Sequence, residues 1–382
     1  MLRSICKTLI PQQRSIEFQI SDVRYVQTLP FLNSISKSRD QQSLTVSYLT
    51  NSCGLSLEKA ISASKVINIE RTEKPNSVIQ LLTSHGFTKF HIATLVSKHP
   101  PILLAHPEKN LKPKFEYFKS VGILGPDLPK FLCSNKHILL CSLNNQIMPT
   151  FDFLRRFVQT NENLVYALKQ STRVIGCNIE KKVKPNINTL RAHGVPELHI
   201  AKLIMLQPSS LILSAAMFKN VVDVIKEMGF EPTSRLFLLA VRSMSVISKS
   251  AWLNKKNILM SFGWSESEFN LAFRKQPMMM LSSGKKIRKL MDFYVNEVGL
   301  KPSDIVKCPN LLLVGLEKRI IPRWSVLKVL MSKNLLKKDA DIIWALNTMK
   351  LDFEKRYITC YMDDPEVTRA YQGVLGSQTS VK

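Results

Sequence analysis

Three groups of side chains in this sequence have the types and spacing to do chemistry. His85, His91 and His99 could hold a metal ion, Gly284-Lys285-Lys286 resembles the end of a phosphate-binding loop, and Lys and Arg recur in short clusters that could neutralise phosphates. The first two fail on their own terms. No thiol or carboxylate joins the histidines at a zinc-like spacing, and His85 and His91 return further along the chain as His193 and His199, at the same place in a repeated pattern, as scaffold residues would. Gly284-Lys285-Lys286 lacks the upstream Gly and the Ser or Thr that would hold Mg²⁺. Met278 to Met280 would suit a soft metal, but Met is a common gap-filler in cores. Asp363-Asp364 has no second carboxylate pair near it, and there is no G-x-S-x-G, H-E-x-x-H, Rossmann or EF-hand pattern. The expectation is a protein that is not an enzyme and has no metal and no cofactor.

The basic clusters remain. The chain has 382 residues with 54 Lys and Arg against 29 Asp and Glu, a formal charge of +25 and a pI near 9.8. Hydrophobic residues at 45% exclude wholesale disorder. The longest apolar stretches, Leu236 to Val241 and Leu198 to Leu206, fall well below the roughly 18 residues that span a bilayer, so no membrane is expected. Seven scattered cysteines without a Cys-x-x-Cys pair read as reduced, buried small hydrophobes. Residues 1–40 carry Arg3, Lys7, Arg14, Arg24, Lys37 and Arg39 against three acids. Leu2, Ile5, Leu9 and Ile10 would form an apolar face beside a basic one, as in a mitochondrial presequence. Cleavage is expected near residues 25–30, after Arg24-Tyr25, and the mitochondrial matrix is the expected destination, with a plastid as the alternative. Removing this segment takes away only three units of net charge, so the charge belongs to the folded body.

The elements that must position these cations are arranged as a repeat. KPNSVIQLLTSHGF (74–87), KPKFEYFKSVGI (112–123) and KPNINTLRAHGV (184–195) share a Lys-Pro start, an apolar helix and a Gly stop. Anchors at Pro75, Pro113, Pro149, Pro185, Val221, Asn257, Leu290 and Pro322 recur with a period of about 36 residues, which shortens slightly towards the C-terminus. Proline at the anchor suits the first turn of a helix, and the glycines suit its left-handed end. A second helix comes next, as at Ser265, where Glu268 completes a capping box. Prolines such as Pro100, Pro208, Pro277 and Pro309 stop it, and a short apolar run then makes a helical turn. No unit of about 36 residues can bury its apolar face alone, so neighbours must stack. The reading is all-α: a superhelical solenoid of about eight proline-anchored helical repeats over residues 41–345, with a C-terminal cap and tail over 346–382.

The cations keep step with the repeat. From five residues before each anchor to one after, Lys and Arg are more than twice as dense as in the chain as a whole. The candidate phosphate contacts are Lys109, Lys112, Lys114, Lys181, Lys182, Lys184, Lys255, Lys256, Lys285, Lys286, Arg288, Lys289, Lys318, Arg319 and Arg323. Equivalent positions in a solenoid line up, so a basic stripe at the helix starts is expected, suited to the spaced charges of a nucleic acid. The third window, around Pro149, holds no cation, although Arg155 and Arg156 come soon after it.

These units, with KPNINTLRAHGVPELHIAKLIMLQPSSLIL, FRKQPMMML, LEKRIIPRWSVLKVL and the closing FEKRYITCYMDDPEVTRAY, resemble the mitochondrial transcription termination factor (mTERF) family in its plant organellar branch, over about residues 41–373. The resemblance implies a superhelix of triple-helical units that binds double-stranded nucleic acid in mitochondria or plastids. It also implies a role in organellar gene expression. Double-stranded DNA along the basic stripe, with regulation of transcription and its termination, is the first reading. An RNA ligand in intron splicing or transcript maturation is the second, and a protein-binding helical scaffold the third. Partners are then organellar DNA or RNA and other gene-expression proteins, and the protein is expected to be a monomer.

Overall fold

The computed structural model describes residues 39–134, 138–336 and 341–376. The expected targeting segment and the expected cleavage region lie outside the described residues, apart from Arg39 and Asp40, which open the helix Arg39–Asn51. The described residues form helices and turns without a strand, and no single helix among them is long and apolar enough to cross a membrane. They fall into two compact units, which part between Phe218 and Lys219.

In the first unit, two short helices, Arg39–Asn51 and Leu57–Ser64, precede the first four anchor helices, Glu73–Ser84, Lys112–Ser120, Met148–Val158 and Lys184–Ala192. The fifth, Ala215–Glu227, spans the division. The second unit holds the sixth to eighth, Lys249–Ser261, Gly284–Asp292 and Ile321–Ser332. It ends in Ile342–Asn347, Lys350–Tyr357 and Pro365–Gly376, the last packed against the eighth anchor helix. All eight anchor residues fall on these helices.

Within each unit the repeat is built as its punctuation requires. Second helices start where their caps lie: Lys89–Lys98 after Thr88 and Glu266–Lys275 after Ser265, each closed by a reciprocal capping box. The prolines then turn the chain into short 3₁₀ helices, Pro100–Leu104, Pro208–Ile212, Pro277–Leu281 and Pro309–Leu312. These plug the core: Leu103, Met279, Met280, Leu311 and Leu312 are fully enclosed, which gives Met279 and Met280 a packing role. Most anchor helices end on a left-handed glycine, such as Gly194 at φ 80°. The third has none and turns on Gln159, at φ 67°, where the Thr160 amide donates to the Val158 carbonyl. That strained three-residue turn costs about 1–3 kcal/mol for a residue with a side chain.

One feature differs from the sequence reading. The second, third, fourth and eighth anchor prolines sit in the first turn of their α-helices as expected, but the chain is already helical before them. Five-residue π segments, Pro107–Leu111, Leu143–Ile147, Ile179–Val183 and Leu316–Ile320, run without a break into those helices. The amides of Lys112, Met148, Lys184 and Ile321 each donate to the carbonyl five residues back. Proline comes at once after them, with no amide to donate and a ring that would crowd the carbonyl four residues behind it; the wider turn makes the room. Pro75, third in its helix, has no helical turn behind it and no π segment. Nor does a π segment precede Val221, Asn257 or Leu290.

Candidate nucleic-acid interface

Twelve of the fifteen candidate cations divide into two sets with different work, and the other three, Lys112, Lys184 and Lys289, are paired with glutamates. One set is spent inside the scaffold. Lys114 is 8% exposed and donates from Nζ to the Leu139 carbonyl at 2.6 Å. Lys255 donates to the Met280 carbonyl at 2.6 Å, and Arg323, 3% exposed, to those of Ala345, Leu346 and Thr348 at 2.7–3.1 Å. The buried Asn186 makes the same type of bond to Leu211 and Leu213. In all four cases a donor on an anchor helix reaches 25 residues ahead, to carbonyls in or beside the short turn of the next repeat. A tight turn leaves such carbonyls without helical partners, and a buried acceptor without a donor costs about 1–3 kcal/mol. Lys286 closes the Leu313 carbonyl at 2.6 Å, and Arg319 those of Asn347 and Thr348.

Burial pulls the ammonium groups of Lys114 and Lys255 below the usual lysine range. It also pulls the Arg323 guanidinium down to about 10, with Arg319 beside it adding to the effect. Lys256 is nearly enclosed, salt-bridged to Glu266 and placed 5.5 Å from the centre of the Phe269 ring. Lys114, Lys255, Lys256, Lys286, Arg319 and Arg323 thus depart from the expected phosphate role: their charged ends are committed to carbonyls or a carboxylate.

The other set faces solvent. Lys109, Lys181, Lys182, Lys285, Arg288 and Lys318 are exposed and have no partner among the described residues. Lys109, Lys181 and Lys318 occupy the same place in their π segments, each directly after a glutamate (Glu108, Glu180, Glu317). That glutamate takes the lysine of a different position: Glu108 pairs with Lys112 at 2.8 Å, Glu180 with Lys184 at 2.5 Å and Glu317 with Lys289 at 3.7 Å. Glu108 raises the Lys112 ammonium above its ordinary value through hydrogen bond and charge. The acid therefore neutralises one cation and leaves the outermost free, at a helix opening whose amides add their own positive field. The first unit carries Lys109, Lys181 and Lys182 in this state, and the second Lys285, Arg288 and Lys318.

Substituting the enclosed and the free lysines should give opposite results. Lys114→Met keeps the stem but leaves the Leu139 carbonyl without its donor, for an expected loss of about 1–3 kcal/mol in urea unfolding. Nucleic-acid affinity at a temperature where it is folded should change less than twofold. A large loss of affinity in the folded variant would return Lys114 to the interface.

The third repeat, which offers no cation at its opening, differs in another way. Its anchor helix buries Phe151, Leu154 and Val158 but leaves Phe153 and Phe157 half-buried. They line a groove of about 340 Å³ with Arg156 of the same helix, Lys184, Ile187, Asn188 and Arg191 of the fourth anchor helix, and Glu197. Sequence reasoning missed this groove. The signal was present as two phenylalanines one helical turn apart, beside the stripe of buried residues and not within it.

The histidines serve the backbone. His85 Nδ1 meets the Leu81 carbonyl at 3.0 Å and His193 Nδ1 the Thr189 carbonyl at 2.8 Å, the same bond at the ends of the first and fourth anchor helices. His91 completes the Thr88 cap. Among the described residues no three His, Cys, Asp or Glu side chains come together as a metal site. None of the six described cysteines forms a disulfide; Cys53, Cys133 and Cys141 are buried as expected, whereas Cys177 and Cys308 are half-buried and Cys360 is exposed.

A family model, mTERF, matches residues 79–242 and 237–354. The chain is 21% identical over 301 residues to the mitochondrial transcription termination factor MTERF15 of Arabidopsis thaliana, covering 78% of this chain and 58% of that protein. It is 19% identical over 241 residues to the chloroplastic transcription termination factor MTERF8 of the same plant, covering 60% of this chain and 46% of that one. The chain thus spans about half the length of the curated relatives it matches.

Proposed function

Because the chain belongs to the mTERF family, we propose that it is an organellar nucleic-acid-binding protein that holds double-stranded DNA through its exposed cations and regulates transcription, termination included. The observation that carries this reading is the set Lys109, Lys181, Lys182, Lys285, Arg288 and Lys318. Each is exposed, each lacks a partner among the described residues, and each lies at the opening turns of an anchor helix or of the π segment leading into it. Phosphate contacts of this kind position a duplex without reading its sequence. The names of the two relatives, termination factors of mitochondrion and chloroplast, support an organellar place of work. The amphipathic basic segment at 1–40 favours the mitochondrial matrix over a plastid. In this reading residues 41–345 form the binding array and 346–382 its cap.

RNA is the second reading, favoured by the aromatic groove, since exposed rings suit unpaired bases better than a stacked duplex. Competition among matched DNA duplex, RNA duplex and single strands separates the two. The DNA reading expects the DNA duplex to displace the others, and preferential capture of RNA after cross-linking in intact organelles would reverse the order. A protein-binding scaffold would show neither preference.

A further inference from the structure

We infer that the groove between the third and fourth anchor helices is a single-strand subsite: an unpaired base lies against Phe153 and Phe157, and its backbone phosphate meets Arg156. This deepens the nucleic-acid reading and rests on it.

Four observations converge. The two rings stand 5.3 Å apart, tilted by 56°, on the flank of their helix between its buried stripe and the exposed Asp152 and Arg156. Each ring is only half covered, by a cation of the fourth anchor helix, and the part left open in the groove suits a ligand with a flat apolar face. The surrounding charges are held still. Lys184 lies 5.9 Å from the Phe153 ring centre while paired with Glu180, and Arg191 lies 5.8 Å from that of Phe157 while forked onto Glu197 at 2.5 and 3.1 Å. Arg156, at the same groove, is exposed and has no partner among the described residues, so one cation is left over for a phosphate.

The volume narrows the ligand. At about 340 Å³ the groove is at the small end of ligand sites and takes one nucleotide unit; a partner helix would need an apolar trough several turns long. The third repeat is also the one whose opening window holds no cation. There the protein gives up the phosphate contact made by its neighbours and offers rings. Base stacking on aromatic side chains tolerates any sequence, because every base has a flat face. The subsite would therefore accept unpaired DNA or RNA.

The test uses the full chain and two fluorescein-labelled probes, a 12-nucleotide single strand and a DNA duplex, read by anisotropy. Phe153→Ala with Phe157→Ala is expected to weaken single-strand binding about tenfold or more, with duplex binding changed less than twofold. An equal loss on both probes, or no loss on the single strand, would overturn the subsite. Phe153→Trp guards against misfolding of the double variant: its indole should be quenched by the single strand and not by the duplex, and absence of quenching also overturns the proposal. If duplex binding stands and responds to Lys285 and Arg288 while the ring variants do nothing, the subsite alone is wrong. If the unaltered protein binds neither probe, the nucleic-acid reading falls with it.

Discussion

Raising the salt concentration from about 50 to 200 mM should weaken binding of the intact protein to a DNA duplex by roughly 10³-fold. Each phosphate neutralised by a protein cation releases condensed counterions, and affinity falls with a logarithmic slope of about −0.9 per contact. Six contacts, from Lys109, Lys181, Lys182, Lys285, Arg288 and Lys318, give a slope near about −5.4. Changing Lys285, Arg288 and Lys318 together to Gln should halve it, to about −2.7, since a neutral side chain releases no counterions. Lys286 is left in place because it closes the Leu313 carbonyl, and altering it would mix stability with binding. The slope is the discriminating quantity, because a general loss of fold lowers affinity at every salt concentration and leaves the slope of the remaining folded protein unchanged. A slope between 0 and about −1 for the intact protein would sink the phosphate reading, as would a slope that the triple variant does not alter.

The second large effect concerns Arg323. One of its terminal nitrogens reaches three carbonyls at the end of the helix Ile342–Asn347, and its guanidinium lies 4.6 Å from the centre of the Phe353 ring. Two effects oppose each other. Enclosing a guanidinium costs free energy, which shows in its lowered pKa. Against this stand three charge-assisted hydrogen bonds and the ring contact. Substitution by Met removes the desolvation cost and fills the same space, but the carbonyls of Ala345 and Leu346 lose their donor, while Thr348 keeps Arg319. The unsatisfied carbonyls win, and Arg323→Met should lose about 3 kcal/mol. For a unit of this size that lowers the melting temperature by roughly 6–12 °C in a circular dichroism melt. Arg323→Lys should recover part of the loss, since an ammonium still offers donors to the carbonyls but lacks the flat face that meets the Phe353 ring. A melting temperature within about 2 °C of the unaltered protein would mean that water replaces the arginine at those carbonyls.

The repeat was legible because its punctuation acts on the backbone. Proline after the second helix and glycine after the first restrict the chain locally, whatever surrounds them, so Pro208, Pro277, Gly194 and Gly263 mark their turns from sequence alone. The extent of the anchor helices was not legible. Pro185 reads as a first-turn proline, yet Ile179 to Lys184 is itself good helix-forming sequence, and only the π turn lets the two join. The charge pattern was half legible. Lys114 and Lys109 look alike in a count of cations, and their difference depends on a carbonyl 25 residues away that no local pattern announces. Phe153 and Phe157 were hidden for the opposite reason: in a chain with 45% hydrophobic residues, two more phenylalanines on a helix read as core.

The π turns have one consequence for how these helices face their surroundings. A regular helix advances about 100° per residue, so one surplus residue in a turn rotates the upstream stretch by nearly a third of a revolution relative to the downstream helix. Lys109, Lys181 and Lys318 all lie on the upstream side of that offset. Their outward heading is fixed by the proline, which keeps the surplus residue from being absorbed into a regular helix. The anchor proline thus works as a phase setter: it uncouples the azimuth of the cation-bearing turn from that of the core-facing stripe, so each can point where its own neighbours require.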